Sequence, residues 1–223
     1  VQAGAVPVDN TFATPFCSNR CGTMPALVLV LHSATKFIGG HGDVMGVVAA
    51  GPEWAARLRR ARHLSGGVFH PLAGYLPHRG LQSITVRVRA QQATGQLVAE
   101  RLVEHPLVDA VHYPGYPGGD PIGIVGRQMA GPGSVLALEV VGDYPAAAAV
   151  ANVCSLISHA VTLGGTETLI EHPASLTHRP VAAEARPNLG LLRISVGLEA
   201  ADDLCADLAS AFKHVPAVGR SES

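Results

Sequence analysis

At 223 residues the chain has room for one large domain or two small ones, and with 48% hydrophobic residues it can bury a substantial core. Its 16 basic and 17 acidic residues leave a net charge of −1, which excludes the basic excess of a nucleic-acid surface. No apolar run approaches the ~20 residues that span a bilayer, and the start lacks the basic-then-apolar pattern of a signal peptide, so the cytoplasm is the expected compartment.

Four cysteines, Cys17, Cys21, Cys154 and Cys205, do not have the spacing of a disulfide framework. Cys17 and Cys21 would suit two metal ligands, but no second pair follows, and reduced unpaired thiols with no metal site are expected.

In chain order, Gly4–Val8 reads as a buried strand ending at Asp9-Asn10-Thr11, with Pro7 awkward inside it because proline donates nothing to a ladder. Residues 13–25 read as a loop. Strands follow at about 26–31 and 44–50. Pro52 to Leu64 reads as a helix with proline in its first turn and arginines 57, 59, 60 and 62 towards its end, where they complement the dipole; Gly66-Gly67 breaks it. A long helix is expected from about Leu81 to Glu104, stopped by Pro106. Residues 107–112, Val135–Val141 and Leu191–Val196 read as strands. Tyr144–His159 and Ala200–His214 read as helices, the latter with a core stripe at Leu204, Leu208 and Phe212. Apolar strands alternating with helices describe an α/β fold whose strands end in polar residues, as ligand-binding sheet edges do.

The chemistry concentrates in Leu31-His32-Ser33-Ala34-Thr35-Lys36-Phe37-Ile38-Gly39-Gly40-His41. Lys36 is the only lysine in the first 200 residues, with hydroxyls one and three places before it. A lysine held at a strand end can form a Schiff base while neighbouring hydroxyls grip a phosphate, the chemistry of pyridoxal 5′-phosphate (PLP) sites. By spacing alone, a surface lysine at a turn is an equal reading.

This stretch resembles the cofactor-lysine motif of the Cys/Met-metabolism PLP enzymes, the family of cystathionine γ-synthase, cystathionine γ-lyase, methionine γ-lyase and O-acylhomoserine sulfhydrylase. Three further stretches match in order. Val8-Asp9-Asn10-Thr11-Phe12 resembles the motif whose aspartate pairs with the pyridinium nitrogen. Thr162-Leu163-Gly164-Gly165-Thr166-Glu167-Thr168-Leu169 with His172-Pro173-Ala174-Ser175-Leu176-Thr177-His178 resembles a segment beside the substrate carboxylate. Leu191-Leu192-Arg193-Ile194-Ser195-Val196-Gly197-Leu198-Glu199 resembles the motif whose arginine binds that carboxylate.

The resemblance implies a fold-type I PLP-dependent transferase-like α/β fold. Residues 1–88 would be the C-terminal part of the PLP-binding large domain and 89–223 the small C-terminal α/β domain. It implies Lys36 as Schiff-base lysine and as the base for the substrate's α-proton. Asp9, Thr11, Ser33 and Thr35 become cofactor contacts, and Thr162 and Arg193 substrate contacts. Physics agrees on two points. A buried carboxylate keeps the PLP nitrogen protonated, and an arginine among apolar strand residues is costly to bury without an anion. Thr162 stands where the family usually has serine, Gly42 where serine and Val47 where glycine are common. The loop 16–26 departs from the pattern, and Arg79-Gly80-Leu81-Gln82 resembles the family's Arg-Gly-Leu-Lys turn.

The resemblance covers the C-terminal half or slightly more of the family. The absent half supplies a ring-stacking tyrosine, a phosphate turn and a tyrosine and arginine from a neighbouring subunit. The implied activity is β/γ-elimination or γ-replacement on sulfur amino acids or O-acylhomoserine, with no choice among lyase, synthase and sulfhydrylase. An N-terminal-half polypeptide would complete the site, in a dimer of composite units or a tetramer. Three alternatives stay open: one piece of a cut single chain, one subunit of a split enzyme, or a non-catalytic scaffold of a homologous enzyme. A scaffold would have no need of Lys36, Asp9 and Arg193 together.

Overall fold

The first apolar run forms β1 (Val6–Asp9), which pairs in parallel with β2 (Val28–Ser33). β3 (Val47–Ala50) adds antiparallel on the far side of β2, giving the order β1-β2-β3. The computed structural model describes residues 6–18, 28–51 and 54–216; Gly4, Ala5, Cys21, the start of the strand expected at 26 and Pro52 lie outside the described residues. Because β1 and β2 run the same way, with Asp9 opposite Leu31, their polar C-terminal residues Asp9 and Ser33 arrive at the same sheet edge. That is where ligands bind in open parallel sheets.

The segment read as a loop from residue 13 contains a single helical turn, α1 (Thr14–Cys17). The Thr14 hydroxyl oxygen accepts from the amides of Phe16 (3.2 Å) and Cys17 (3.3 Å), so a local side-chain bond closes a turn that periodicity does not signal. Helix α2 (Ala55–Ser65) ends at Gly66, whose φ of +71° makes the left-handed cap expected of that glycine. None of its residues is buried.

The long helix begins ten residues earlier than its apolar pattern indicates. Helix α3 (Pro71–Val103) runs for 33 residues through Gly74, Pro77 and Gly80. His70 caps it, Nδ1 accepting from the Leu72 amide at 3.3 Å, and Pro71 occupies its first turn. Residues 79–82, which resemble a turn, are therefore helical here. Tertiary contact overrides the breakers: Gly80 lies directly against the carbonyls of Ile38 and Gly39.

A second sheet has the order β4-β5-β8-β7-β6, with β4 (Val108–His112), β5 (Val135–Val140), β6 (Ser158–His159), β7 (Leu169–Glu171) and β8 (Leu191–Ser195). Its pairings are antiparallel except β6–β7. Strict alternation of burial along β5 shows one face on the core and one outside. Helix α4 (Asp143–Val153) stops well short of His159, because Cys154 turns extended and Ser158–His159 joins the sheet instead. Helix α5 (Ala201–Phe212) buries Leu204, Leu208 and Phe212 as its period requires.

One core joins this sheet to α4, α5 and the C-terminal part of α3 through Leu136, Leu138, Val150, Ile170, Leu192 and Val98. A smaller one, with Ala34, Phe37, Ile38, Ile84, Val88 and Leu163, ties the segment after β2 to α3 and to the loop before β7. Among the described residues no helix is long and apolar enough to cross a membrane.

Candidate active site

Lys36 sits in a π-turn, Ala34–Ile38, directly after β2. The Gly39 amide closes it on the Ala34 carbonyl at 2.8 Å, and Gly40 reaches the Lys36 carbonyl at 2.8 Å. Lys36 departs from helical geometry (φ −93°, ψ −131°). Such π-turns concentrate at functional positions. Phe37 and Ile38 anchor the turn in the smaller core. Arg87 of α3 fastens it from outside. Its Nη2 donates to Phe37 O and Gly80 O, both at 2.9 Å, and its Nε donates to Ser83 Oγ at 3.1 Å.

The loop carrying Thr162 is brought against this turn by Leu163 and Gly164. Gly164 has φ of +76°, and a Cβ there would lie 2.7 Å from the Phe37 amide nitrogen, so only glycine allows this approach. Its amide donates to Ser195 Oγ (2.9 Å), and Gln91 of α3 donates to the Gly165 carbonyl (2.6 Å). With the loop so held, Lys36 Nζ donates to Thr162 Oγ1 at 3.0 Å.

Arg193 enters from β8. Its Nη2 donates to the carbonyls of Val161 (2.9 Å) and Thr162 (3.0 Å) and forms an ion pair with Glu171, its cross-strand partner on β7. Glu171 is fully buried, and the Thr177 hydroxyl donates to its other oxygen. Arg193 Nε is buried with no hydrogen-bond partner. Burial pulls the Lys36 amine below the ordinary lysine value, the Arg193 charge pulls it further, and Glu171 opposes both.

Asp9, Thr11 and Ser33 form a second group at the end of β1. Thr11 N–H donates to Asp9 Oδ1 (2.9 Å), and Thr11 Oγ1 accepts from the Ser33 amide (2.8 Å). Hydrogen bonds from the Thr11 hydroxyl and then its amide hold the Asp9 carboxyl below the ordinary value, against a burial effect that raises it. Thr35 Oγ1 accepts from the Gly46 amide at 3.0 Å, leaving its own proton to donate. The short run from Ser33 to Lys36 joins the two groups. Buried His32 on β2 has Nδ1 without a partner; burial lowers its basicity and nearby Asp9 raises it.

Glu167, close in sequence to Thr162, is exposed, whereas Glu171, four residues on, is the carboxylate at the centre. Glu171 and Arg87 escaped sequence reasoning, and Thr177 stood out only as part of its stretch, with no role of its own. The one available signal was symmetrical: a carboxylate in an apolar strand, Leu169–Glu171, and an arginine in another, Leu191–Ser195. Cys17 is buried and donates to Gln92 Oε1 at 3.7 Å; among the described residues no cluster of three His, Cys, Asp or Glu is placed to hold a metal.

The site thus sets an amine of lowered basicity at a sheet edge within reach of a hydroxyl, near a buried carboxylate and its guanidinium partner, on an α/β scaffold. The chain belongs to the Cys/Met metabolism PLP-dependent enzyme family, whose family model matches residues 2–213. It is 55% identical to the L-methionine gamma-lyase of Brevibacterium sandarakinum, over 94% of this chain and 54% of that protein. It is 48% identical to that of Streptomyces avermitilis, over 94% of this chain and 48% of the relative. The cystathione gamma lyase structure from Micromonospora echinospora superposes with a TM-score of 0.87 at 38% identity, covering 94% of this chain and 56% of that one. Cystathionine gamma synthase from Xanthomonas oryzae in complex with aminoacrylate and cysteine gives 0.87 at 35% identity, covering 94% and 55%. The fold is therefore the fold-type I PLP-dependent architecture, and the chain spans about half the length of the curated relatives it matches.

The residues present fit the family's cofactor, PLP. Lys36 offers an amine that burial biases towards its neutral, nucleophilic form. Asp9 offers a carboxylate for a protonated ring nitrogen, Ser33 and Thr35 offer hydroxyls on the same edge, and Arg193 offers a buried N–H with no partner.

Proposed function

We propose that this chain contributes the lysine-bearing part of a PLP-dependent γ-lyase acting on a sulfur amino acid, with methionine the leading substrate. The observation that carries the reading is the Lys36–Thr162–Arg193 constellation: an amine 3.0 Å from a hydroxyl whose own carbonyl is gripped by an arginine. Relatives named L-methionine gamma-lyase at up to 55% identity favour elimination over replacement on O-acylhomoserine.

PLP supplies an electron sink that stabilises negative charge at the substrate's Cα and beyond. Lys36 Nζ would hold the cofactor, and its neutral amine is the group that would take the proton from the substrate's Cα. Lowered basicity suits it to that task near neutral pH. Thr162 Oγ1 accepts from Nζ and fixes the direction of its lone pair. Arg193 receives the substrate carboxylate through its planar fork, which places Cα beside Lys36. Asp9 would pair with the ring nitrogen's proton, Thr11 favouring the ionised form of that carboxylate. Ser33 and Thr35 would donate to the cofactor phosphate. The net reaction on methionine consumes one water and yields 2-oxobutanoate, methanethiol and ammonia.

Residues 1–88 serve as the C-terminal part of the cofactor domain and 89–223 as the small domain, the two meeting within α3. An N-terminal-half polypeptide completes the site, whether covalently upstream or separate. Apolar side chains left exposed at β3, on α2 and at the start of α3, including Met45, Val47, Leu64, Val68 and Leu72, support such a covering partner.

The test is borohydride reduction of the assembled protein, followed by peptide mapping and an assay of methionine for 2-oxobutanoate release. A phosphopyridoxyl group on the Lys36 peptide together with 2-oxobutanoate release is expected. A protein that carries no such adduct, as a scaffold would not, overturns the reading.

A further inference from the structure

The geometry points to Glu171 as the positioning residue for Arg193: a buried carboxylate, braced by Thr177, that fixes the plane in which the guanidinium meets a substrate carboxylate. This rests on the reading of Arg193 as the carboxylate receiver and adds the device that orients it.

Three observations carry it. Glu171 and Arg193 are direct partners in the antiparallel β7–β8 register, so their side chains leave the same face of the sheet side by side. Glu171 is fully buried, yet it sits between Leu169–Ile170 and the loop before Pro173, where a hydrophobic residue would be the cheaper occupant. One of its oxygens accepts from the Thr177 hydroxyl, and the other pairs by charge with Arg193 Nη2 without a hydrogen bond to it. The Val161 and Thr162 carbonyls accept from Arg193 Nη2. With both Nη2 hydrogens given to the two carbonyls and the Glu171 charge set against the same nitrogen, the fork is held against rotation about its long axis, and Nε is buried with no protein partner. Two carbonyls on one nitrogen leave that rotation less constrained; the carboxylate on the opposite strand completes the fixation.

Charge acts in the other direction. A carboxylate beside Arg193 offsets the positive charge that attracts an anion. Orientation and charge are separable by substitution. Glu171→Gln removes the charge and keeps the shape: its carbonyl oxygen lies against Arg193 Nη2, and its NH2 donates to Thr177 Oγ1, which is able to accept. Glu171→Ala removes charge and acceptor together. The two variants have the same net charge, so a difference between them reports positioning alone.

The experiment titrates 4-(methylsulfanyl)butanoate, a carboxylate with no amine, into the assembled protein by calorimetry. Wild type, Glu171→Gln, Glu171→Ala and Thr177→Val are compared, with cofactor loading followed by absorbance. Glu171→Gln is expected to bind at least as tightly as wild type. Glu171→Ala is expected to bind at least tenfold more weakly than Glu171→Gln, and Thr177→Val about threefold more weakly than wild type. Equal dissociation constants for Glu171→Gln and Glu171→Ala would overturn the proposal and leave Glu171 a charge modulator. If Glu171→Ala fails to fold, Thr177→Val decides: binding unchanged from wild type overturns it. Failure of the parent reading looks different, since the wild-type protein would then bind the carboxylate no more tightly than an Arg193→Ala variant does.

Discussion

Lys36 and Thr162 lie 126 positions apart in the chain, and their side chains meet at 3.0 Å. The contact ties the turn after β2 to the loop before β7, so it reports directly on whether the two sheets are correctly placed. Thr162→Val keeps the shape and removes the acceptor. Turnover in the assembled protein is expected to fall by about tenfold to a hundredfold, as loss of an oriented acid–base partner does. Thr162→Ser, the residue usual in the family, is expected to stay within about threefold of wild type, since it keeps the hydrogen bond. Steady-state kinetics on methionine checks both.

Lys36 links stability to pH. Its folded value lies below the ordinary 10.5, with burial the largest cause and Arg193 the next. In the window between the lowered folded value and 10.5 the unfolded chain binds the extra proton, so this group makes stability rise with pH there. Below the window the cost of burying the charged amine is fully present. In cofactor-free protein, Lys36→Met is therefore expected to melt above wild type at neutral pH, with the gap narrowing towards pH 10.5. Paired thermal melts across that range would show a constant or widening gap if the amine were not desolvated.

Asp9 works with the opposite sign. Thr11 holds its carboxyl below the ordinary 3.8, so the ionised form contributes stability above 3.8 that disappears as pH falls through the lowered folded value. Thr11→Val removes the hydroxyl, the largest cause of that lowering. The Asp9 carboxyl is expected to titrate closer to 3.8 in the variant, and the part of the stability that is lost on acidification below 3.8 to become smaller. Carbon-detected NMR of the Asp9 side chain reads the first, and acid unfolding curves read the second.

Gly164 is the tightest point between the two parts of the site. Gly164→Ala forces a Cβ at φ +76° to within 2.7 Å of the Phe37 amide nitrogen. A loss of about 1–3 kcal/mol of stability is expected from the backbone strain, with a larger loss of activity because Phe37 adjoins Lys36. Urea unfolding alongside kinetics separates the two; an unaffected variant would mean that the loop approaches less closely.

Much of this was legible in the sequence, and the reasons divide cleanly. β5, β8 and α5 carry periodic apolar patterns long enough to identify themselves. Lys36, Asp9 and Arg193 stood out because each is a charged residue at the end of, or inside, an apolar run. The start of α3 was hidden by Gly74, Pro77 and Gly80, local breakers; packing against the Lys36 turn holds the helix at Gly80. The end of α4 was hidden because Cys154–His159 is as apolar as the helix before it, and a two-residue strand has no period to detect. Glu171 was missed because its meaning lies in a strand 22 residues away. Nothing near it in sequence says that it will face Arg193.

Arg87 and Gln91 are one turn apart on the same face of α3; one grips the carbonyl of Phe37, the other that of Gly165. Neighbours four apart on a helix are separated by about 6 Å, a spacing written into backbone geometry and indifferent to the loops on either side. The helix thus serves as a gauge block for the candidate site. Loops other than the one that carries Thr162 and Gly164 can change in length without moving either grip. A single residue inserted between Arg87 and Gln91 would swing one of the two grips by about 100° and throw the centre out of register without touching any residue within it.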